Sequence, residues 1–180
     1  MNIKQYKKFK FQYNDYSLLN IKSEYPISYI AIFFYDAFRH IYKSGTIKFI
    51  NKLKNYEESG INSEMIELNL EKQNNLAYIS EPYDNSTKKI TPEINDLIEK
   101  QSTIELCHKN FIGYTILTQN NLFYLFIKWK EIIDNKDPFF LLYLDDNDWY
   151  DVEPFDTQEA MEQFIVDHTK IDDDNLITNV

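Results

Sequence analysis

A mixed α+β fold is predicted by three features of the 180-residue chain. The apolar spacing changes from helical to alternating near residue 66, and a one-sided helix follows Thr118. The run Phe139-Phe140-Leu141-Leu142-Tyr143-Leu144 does not alternate at all, which marks a central strand covered on both faces. The expected architecture is one domain over residues 1–180, with a helical hairpin near the N-terminus. A sheet of about four to six strands, flanked by helices, follows it. Residues 171–180 are polar and expected to fray.

The elements follow in order. Residues 8–13 alternate polar and aromatic side chains and predict a short strand. After Pro26, a first-turn residue, Ile30, Phe33, Phe34, Ala37, Phe38 and Ile41 form one apolar stripe of a helix. Gly45 permits a turn, and Thr46 is placed to cap a second helix through Ile50 and Leu53 that ends before Gly60. Ile66, Leu68 and Leu70 alternate with polar residues as a half-buried strand. The polar turn 72–75 leads to its partner, Leu76 to Glu81. A loop at Asp84-Asn85-Ser86, a short helix opened by Thr91-Pro92-Glu93 and a strand within 104–117 come next.

Thr118 caps the strongest helix, whose inner face is Leu122, Leu125, Phe126, Trp129, Ile132 and Ile133. Asn135-Lys136-Asp137-Pro138 ends it. After the central strand, Asp145-Asp146-Asn147-Asp148 is a turn, and Trp149 to Phe155 returns as a strand, with Pro154 placing it at a sheet edge or marking its end. Asp156-Thr157-Gln158-Glu159 resembles a capping box for a last helix carrying Ala160, Met161, Phe164 and Ile165.

Charge narrows the function. The net charge of −10 is uneven: residues 1–60 carry ten basic and five acidic side chains, and residues 121–180 carry four and fifteen. Affinity for nucleic acid comes largely from Lys and Arg on phosphates, and Arg39 is the only arginine, so direct nucleic-acid binding is not expected. An acidic face steers toward a basic partner. No apolar run is long enough for a membrane span, and the first residues lack the pattern of a secretory signal. One cysteine, Cys107, cannot form an intrachain disulfide, and a cytoplasmic location is expected.

Catalytic patterns are weak. His40, His108 and His168 lack metal-ligand spacing, and no metal or cofactor is expected. Cys107 and His108 are neighbours on an expected strand, so they point to opposite faces and cannot share a proton. A calcium loop starting at Asp145 or Asp146 lacks Gly at its sixth position and Glu at its twelfth. Asp134-Asn135-Lys136 matches a minimal nuclease pattern but sits at a helix end. With only Gly45, Gly60 and Gly113, the chain has no glycine-rich phosphate loop. No catalytic residue is assigned, and an enzyme is not expected.

The acidic C-terminal region is the candidate site. Between Asp145 and Asp174 there are twelve acids and one base, Lys170. Asp145, Asp146, Asp148, Trp149, Tyr150, Asp151, Glu153 and Asp156 interleave carboxylates with rings. Rings anchor an interface and carboxylates steer a basic partner toward it. The same residues fit a solvated acidic face with Trp149 turned into the core.

The stretch from Leu141 through Asp145-Asp146-Asn147-Asp148-Trp149-Tyr150-Asp151-Val152-Glu153-Pro154-Phe155, running into Thr157 to Ile165, resembles immunity proteins of bacterial contact-dependent growth inhibition and related polymorphic toxin systems. The resemblance covers the last 30–40 residues clearly and the preceding helix–strand order loosely. It implies a cytosolic, non-enzymatic protein that binds the C-terminal domain of a cognate toxin. Such domains are often nucleases with basic clefts, which an acidic inhibitor can plug, or whose access it can block or geometry distort by binding elsewhere. An acidic intracellular adaptor or scaffold, and a small metal-dependent hydrolase built on Asp145–Asp148, are the other readings.

Overall fold

The computed structural model describes residues 1–12, 15–18, 27–36, 38, 41–42, 45–58, 60–62, 66–80 and 114–169. Cys107, His40, His108, Arg39, the helix expected at Thr91, the strand expected over 104–113 and the tail 171–180 lie outside them. The described residues form eight strands and four helices, a mixed α+β fold. The strands make two antiparallel sheets of four instead of the single sheet of the sequence expectation.

The first sheet has the order β2-β1-β7-β8, with β1 at Ile3–Gln12, β2 at Asp15–Leu18, β7 at Phe139–Asp145 and β8 at Tyr150–Phe155. The second has the order β3-β4-β5-β6, with β3 at Gly60–Asn62, β4 at Glu67–Glu71, β5 at Leu76–Ser80 and β6 at Tyr114–Thr118. The predicted hairpin around 72–75 is β4–β5, paired from Glu71 with Leu76 to Glu67 with Ser80. The N-terminal strand is longer than expected and pairs with the far end of the chain, Phe9 opposite Phe140 and Lys7 opposite Leu142. Period alone detects a strand and not its partner.

Helix α1, Ile27–Asp36, packs against β1, β2 and β7 of the first sheet and β5 and β6 of the second. Wedged between two apolar faces, it is buried almost all round at Ile27, Tyr29, Ile30, Ala31, Phe33 and Phe34. Helix α2, Thr46–Lys54, packs against α3, Gln119–Asn135. The front helices are thus tied to the sheets and to α3, and an independent hairpin is not the organising unit. The α2 cap also differs from the expectation. Gly45 occupies the cap position at φ 102, where glycine carries no Cβ penalty, and Thr46 is the first helical residue, buried.

One core joins both sheets. Phe9 stacks on Phe140 with centroids 4.9 Å apart and meets Trp129 edge-on at 5.0 Å. Trp129 stacks on Phe34 of α1 at 4.3 Å, and Phe33, Phe38 and Phe126 continue the cluster toward Leu68, Ile79 and Leu117 of the second sheet. The opposite face of the first sheet is covered by α4, Gln158–His168, whose Met161 and Ile165 bury Ile3, Leu141 and Tyr143. β7 therefore has apolar neighbours on both sides, which is why its sequence does not alternate. Thr157 caps α4 by accepting the Ala160 N–H at 3.1 Å; Ala160 stands where a capping box needs Glu or Gln, so the box is only half built.

Two amides at the start of α3 fasten this helix to both sheets. Thr118 caps it, accepting the Asn121 N–H at 3.2 Å. The Gln119 side chain donates to the carbonyls of Glu71 and Leu76, and its own N–H donates to the Asn75 carbonyl. Asn121 does the equivalent for the first sheet. Its Nδ2 donates to the Tyr150 carbonyl at 2.7 Å, and its Oδ1 accepts the Tyr150 N–H at 2.9 Å.

Candidate functional site

The β7–β8 connection is a three-residue loop. The Asp148 N–H donates to the Asp145 carbonyl at 3.2 Å, and the Asp145 N–H donates to the Trp149 carbonyl at 3.0 Å. Asp148 closes the turn in the left-handed region at φ 61, a place that Asp tolerates better than most residues. Asp145 is the hub of this turn. Its Oδ1 accepts the N–H groups of Asn147 at 2.9 Å and Trp149 at 2.8 Å, and its Oδ2 accepts Asn147 Nδ2 at 3.3 Å.

The eight candidate residues therefore separate. Asp145 is buried in the turn, and Tyr150 is 0% exposed beneath α3, so as surface contacts both are corrected. The strand period required one of Trp149 and Tyr150 to point inward, and the Asn121 clamp on the Tyr150 backbone accompanies Tyr150 as the inward one. Trp149 is 36% exposed and leans on Tyr124 of α3, centroids 5.5 Å apart. Asp146 is exposed at the tip. Asp151 and Glu153 are half-buried along β8. Asp156 is exposed beyond the far end of β8, roughly 20 Å from the tip at about 3.3 Å per residue, so it does not belong to the same cluster.

Much of the acidity is matched within the chain. Lys4 Nζ lies 2.6 Å from Asp148 Oδ1, whose side chain is only 6% exposed. Lys8 pairs with Glu162 of α4 at 2.8 Å, and Asn2 Nδ2 donates to Asp146 at 3.0 Å. The Asn2 backbone N–H, with its amide, holds the Asp146 carboxyl below the usual carboxylate range. The basic N-terminal strand thus lies beside the acidic hairpin and helix, and the opposite charges of the two chain ends are in part an internal match. The free acidic face is smaller than the residue count suggests.

Tyr124 was missed by pattern reading, because it lies at the border of the apolar stripe of α3. Its hydroxyl donates to Asp151 Oδ1 at 2.7 Å, and the Tyr143 hydroxyl donates to Asp151 Oδ2 at 3.4 Å. Burial, then the Asp151 carboxylate, pushes both phenols well above their ordinary value, so both stay protonated donors. Asp151 thereby fixes the ring against which Trp149 rests.

Glu153 lies on the same face. Burial and then the Asp151 charge raise its carboxyl above the usual 4.5, with Lys128 opposing them. A raised folded-state value means that the native state binds this proton more tightly than the unfolded chain. Ionised Glu153 then opposes folding, and its share of stability falls as pH rises from the ordinary glutamate range through the raised value. Glu153→Gln is expected to stabilise at neutral pH by less than about 1 kcal/mol, the partly solvated carboxylate being screened, and to change little near about pH 3. Thermal melts at the two pH values check it; an equal gain at both would contradict this origin.

Comparison with protein-family models, curated proteins and solved structures finds no match. Among the described residues no group of three or more His, Cys, Asp or Glu side chains is arranged to hold a metal ion. Asp145, Asp146 and Asp148 instead engage the turn amides, Asn2 and Lys4 respectively. Asp134, of the nuclease-like triplet, accepts from Tyr42 at 2.7 Å and from Lys130. His168 sits at the end of α4 with its Nδ1 2.8 Å from the Phe164 carbonyl. No described helix is long and apolar enough to cross a membrane.

Proposed function

We propose that the chain is an immunity-type inhibitor that binds a cognate toxin domain stoichiometrically, a basic nuclease domain being the preferred partner, through the tip and outer side of the β7–β8 hairpin. The observation that carries the reading is the exposed Trp149, backed by Tyr124 and set among Asp146, Asp151 and Glu153. A rigid ring ringed by carboxylates is the chemistry that anchors and steers a basic partner. The overall charge of −10 adds long-range attraction for a cationic domain.

Co-expression with the toxin domain encoded beside this gene is expected to restore growth and to yield a one-to-one complex without turnover. Trp149→Ala is expected to weaken that complex about 30-fold, the loss typical of an aromatic anchor. Asp146→Lys is expected to slow association mainly at low salt. Growth arrest in both arms, with no complex, would refute the assignment.

A further inference from the structure

Among the described residues, strand β8 is the outer strand of the first sheet, pairing with β7 on one side. The backbone bond from Asp145 to Trp149 fixes which residues of β8 turn their peptide groups outward. With Tyr143 opposite Asp151, Leu141 opposite Glu153 and Phe139 opposite Phe155, those three β8 residues bond to β7. Residues 150, 152 and 154 therefore present their N–H positions to the outer side.

Each of those positions is closed, and each in a different way. The Tyr150 N–H is taken by Asn121 Oδ1 at 2.9 Å, and the Tyr150 carbonyl by Asn121 Nδ2 at 2.7 Å, so a side-chain amide occupies the place of a neighbouring strand. The Val152 N–H donates to Asp151 Oδ1 at 2.7 Å. Position 154 is proline and has no N–H. An edge strand with available donors templates pairing with another chain; this one has no N–H left to donate at 150, 152 or 154.

We propose that the outer edge of β8 is closed to strand addition by Asn121, Asp151 and Pro154 acting together, so that a second copy of this chain cannot pair with it and the hairpin stays monomeric. A binding partner then meets the hairpin through side chains. The closure does not depend on what that partner is.

The test reopens the edge while leaving the Asn121 clamp in place. Pro154→Val restores a donor at an exposed position, and Asp151→Ala frees the Val152 N–H. Sedimentation in high salt, which screens Glu153 of one copy from that of the other, is the readout. The wild-type chain is expected to stay monomeric, and the double variant to form dimers or larger species with concentration. Pro154→Val alone, at an exposed position, serves if the double variant does not fold, and its expected shift is the same but smaller. A folded variant that stays monomeric throughout, or a wild-type chain that itself dimerises with concentration-dependent amide protection at Val152, would overturn the proposal.

Discussion

Asn121→Ala is expected to lower the stability of the folded chain by about 3–4 kcal/mol, because it strands two buried backbone groups at once. Asn121 is 2% exposed, and Tyr150, whose N–H and carbonyl it satisfies, is fully buried. An unpaired buried donor or acceptor costs about 1–3 kcal/mol each, more than the net gain from a typical hydrogen bond. The variant is informative because Ala is the better helix former, so α3 itself gains by the change. The Thr118 cap is also untouched, since it takes the backbone N–H of residue 121. A measured loss must then come from the clamp on β8. Asn121→Asp keeps the acceptor but loses the donor and buries a charge, and is expected to be no better than Ala at neutral pH. Urea denaturation checks both. A loss below about 1 kcal/mol with an unchanged denaturant slope would mean that water replaces the amide.

Local patterns carried much of this fold. The 72–75 turn, the Thr118 cap, the unbroken run of β7 and the proline of β8 each express a rule that acts within a few residues, and each lies where its pattern places it. What the pattern could not carry is pairing across the chain. β1 meets β7 at a separation of more than a hundred residues, and nothing local says that Lys4 and Lys8 will lie beside Asp148 and Glu162. The two sheets also look like one from sequence, since alternation is the same in either and only α1, buried on nearly every side, shows that it lies between two apolar surfaces.

At the candidate site, composition was legible and exposure was not. Acids and rings interleave from Asp145 to Glu153, but period two leaves open which of Trp149 and Tyr150 is inside. The deciding contacts come from Asn121 and Tyr124, on a helix that precedes the hairpin in sequence. Asp at the first position of a turn commonly accepts amides two residues on, which describes Asp145 better than a surface contact does.

Asp145 therefore yields the second large effect. Asp145→Ala is expected to cost about 3 kcal/mol, since the N–H groups of Asn147 and Trp149 lose a carboxylate acceptor in a partly buried turn, and bonds to charged groups are worth about 1.5–3 kcal/mol each. The Trp149 ring would lose its fixed position with the turn, so partner binding should fall in parallel. Asp145→Asn separates the two roles. It removes the charge and keeps an Oδ1 where both N–H groups can reach it, while the exposed Asn147 amide can swing away from the new Nδ2. If Asp145 acts as the turn hub, the Asn variant retains most of the stability and binds as wild type. If the Asn variant is as stable as wild type but binds no partner, then Asp145 contributes its charge to the interface directly, and the division between buried turn acids and exposed contact acids would have to be redrawn. Denaturation and binding measured on the same two variants decide the matter, because only the turn role predicts that stability and binding move together.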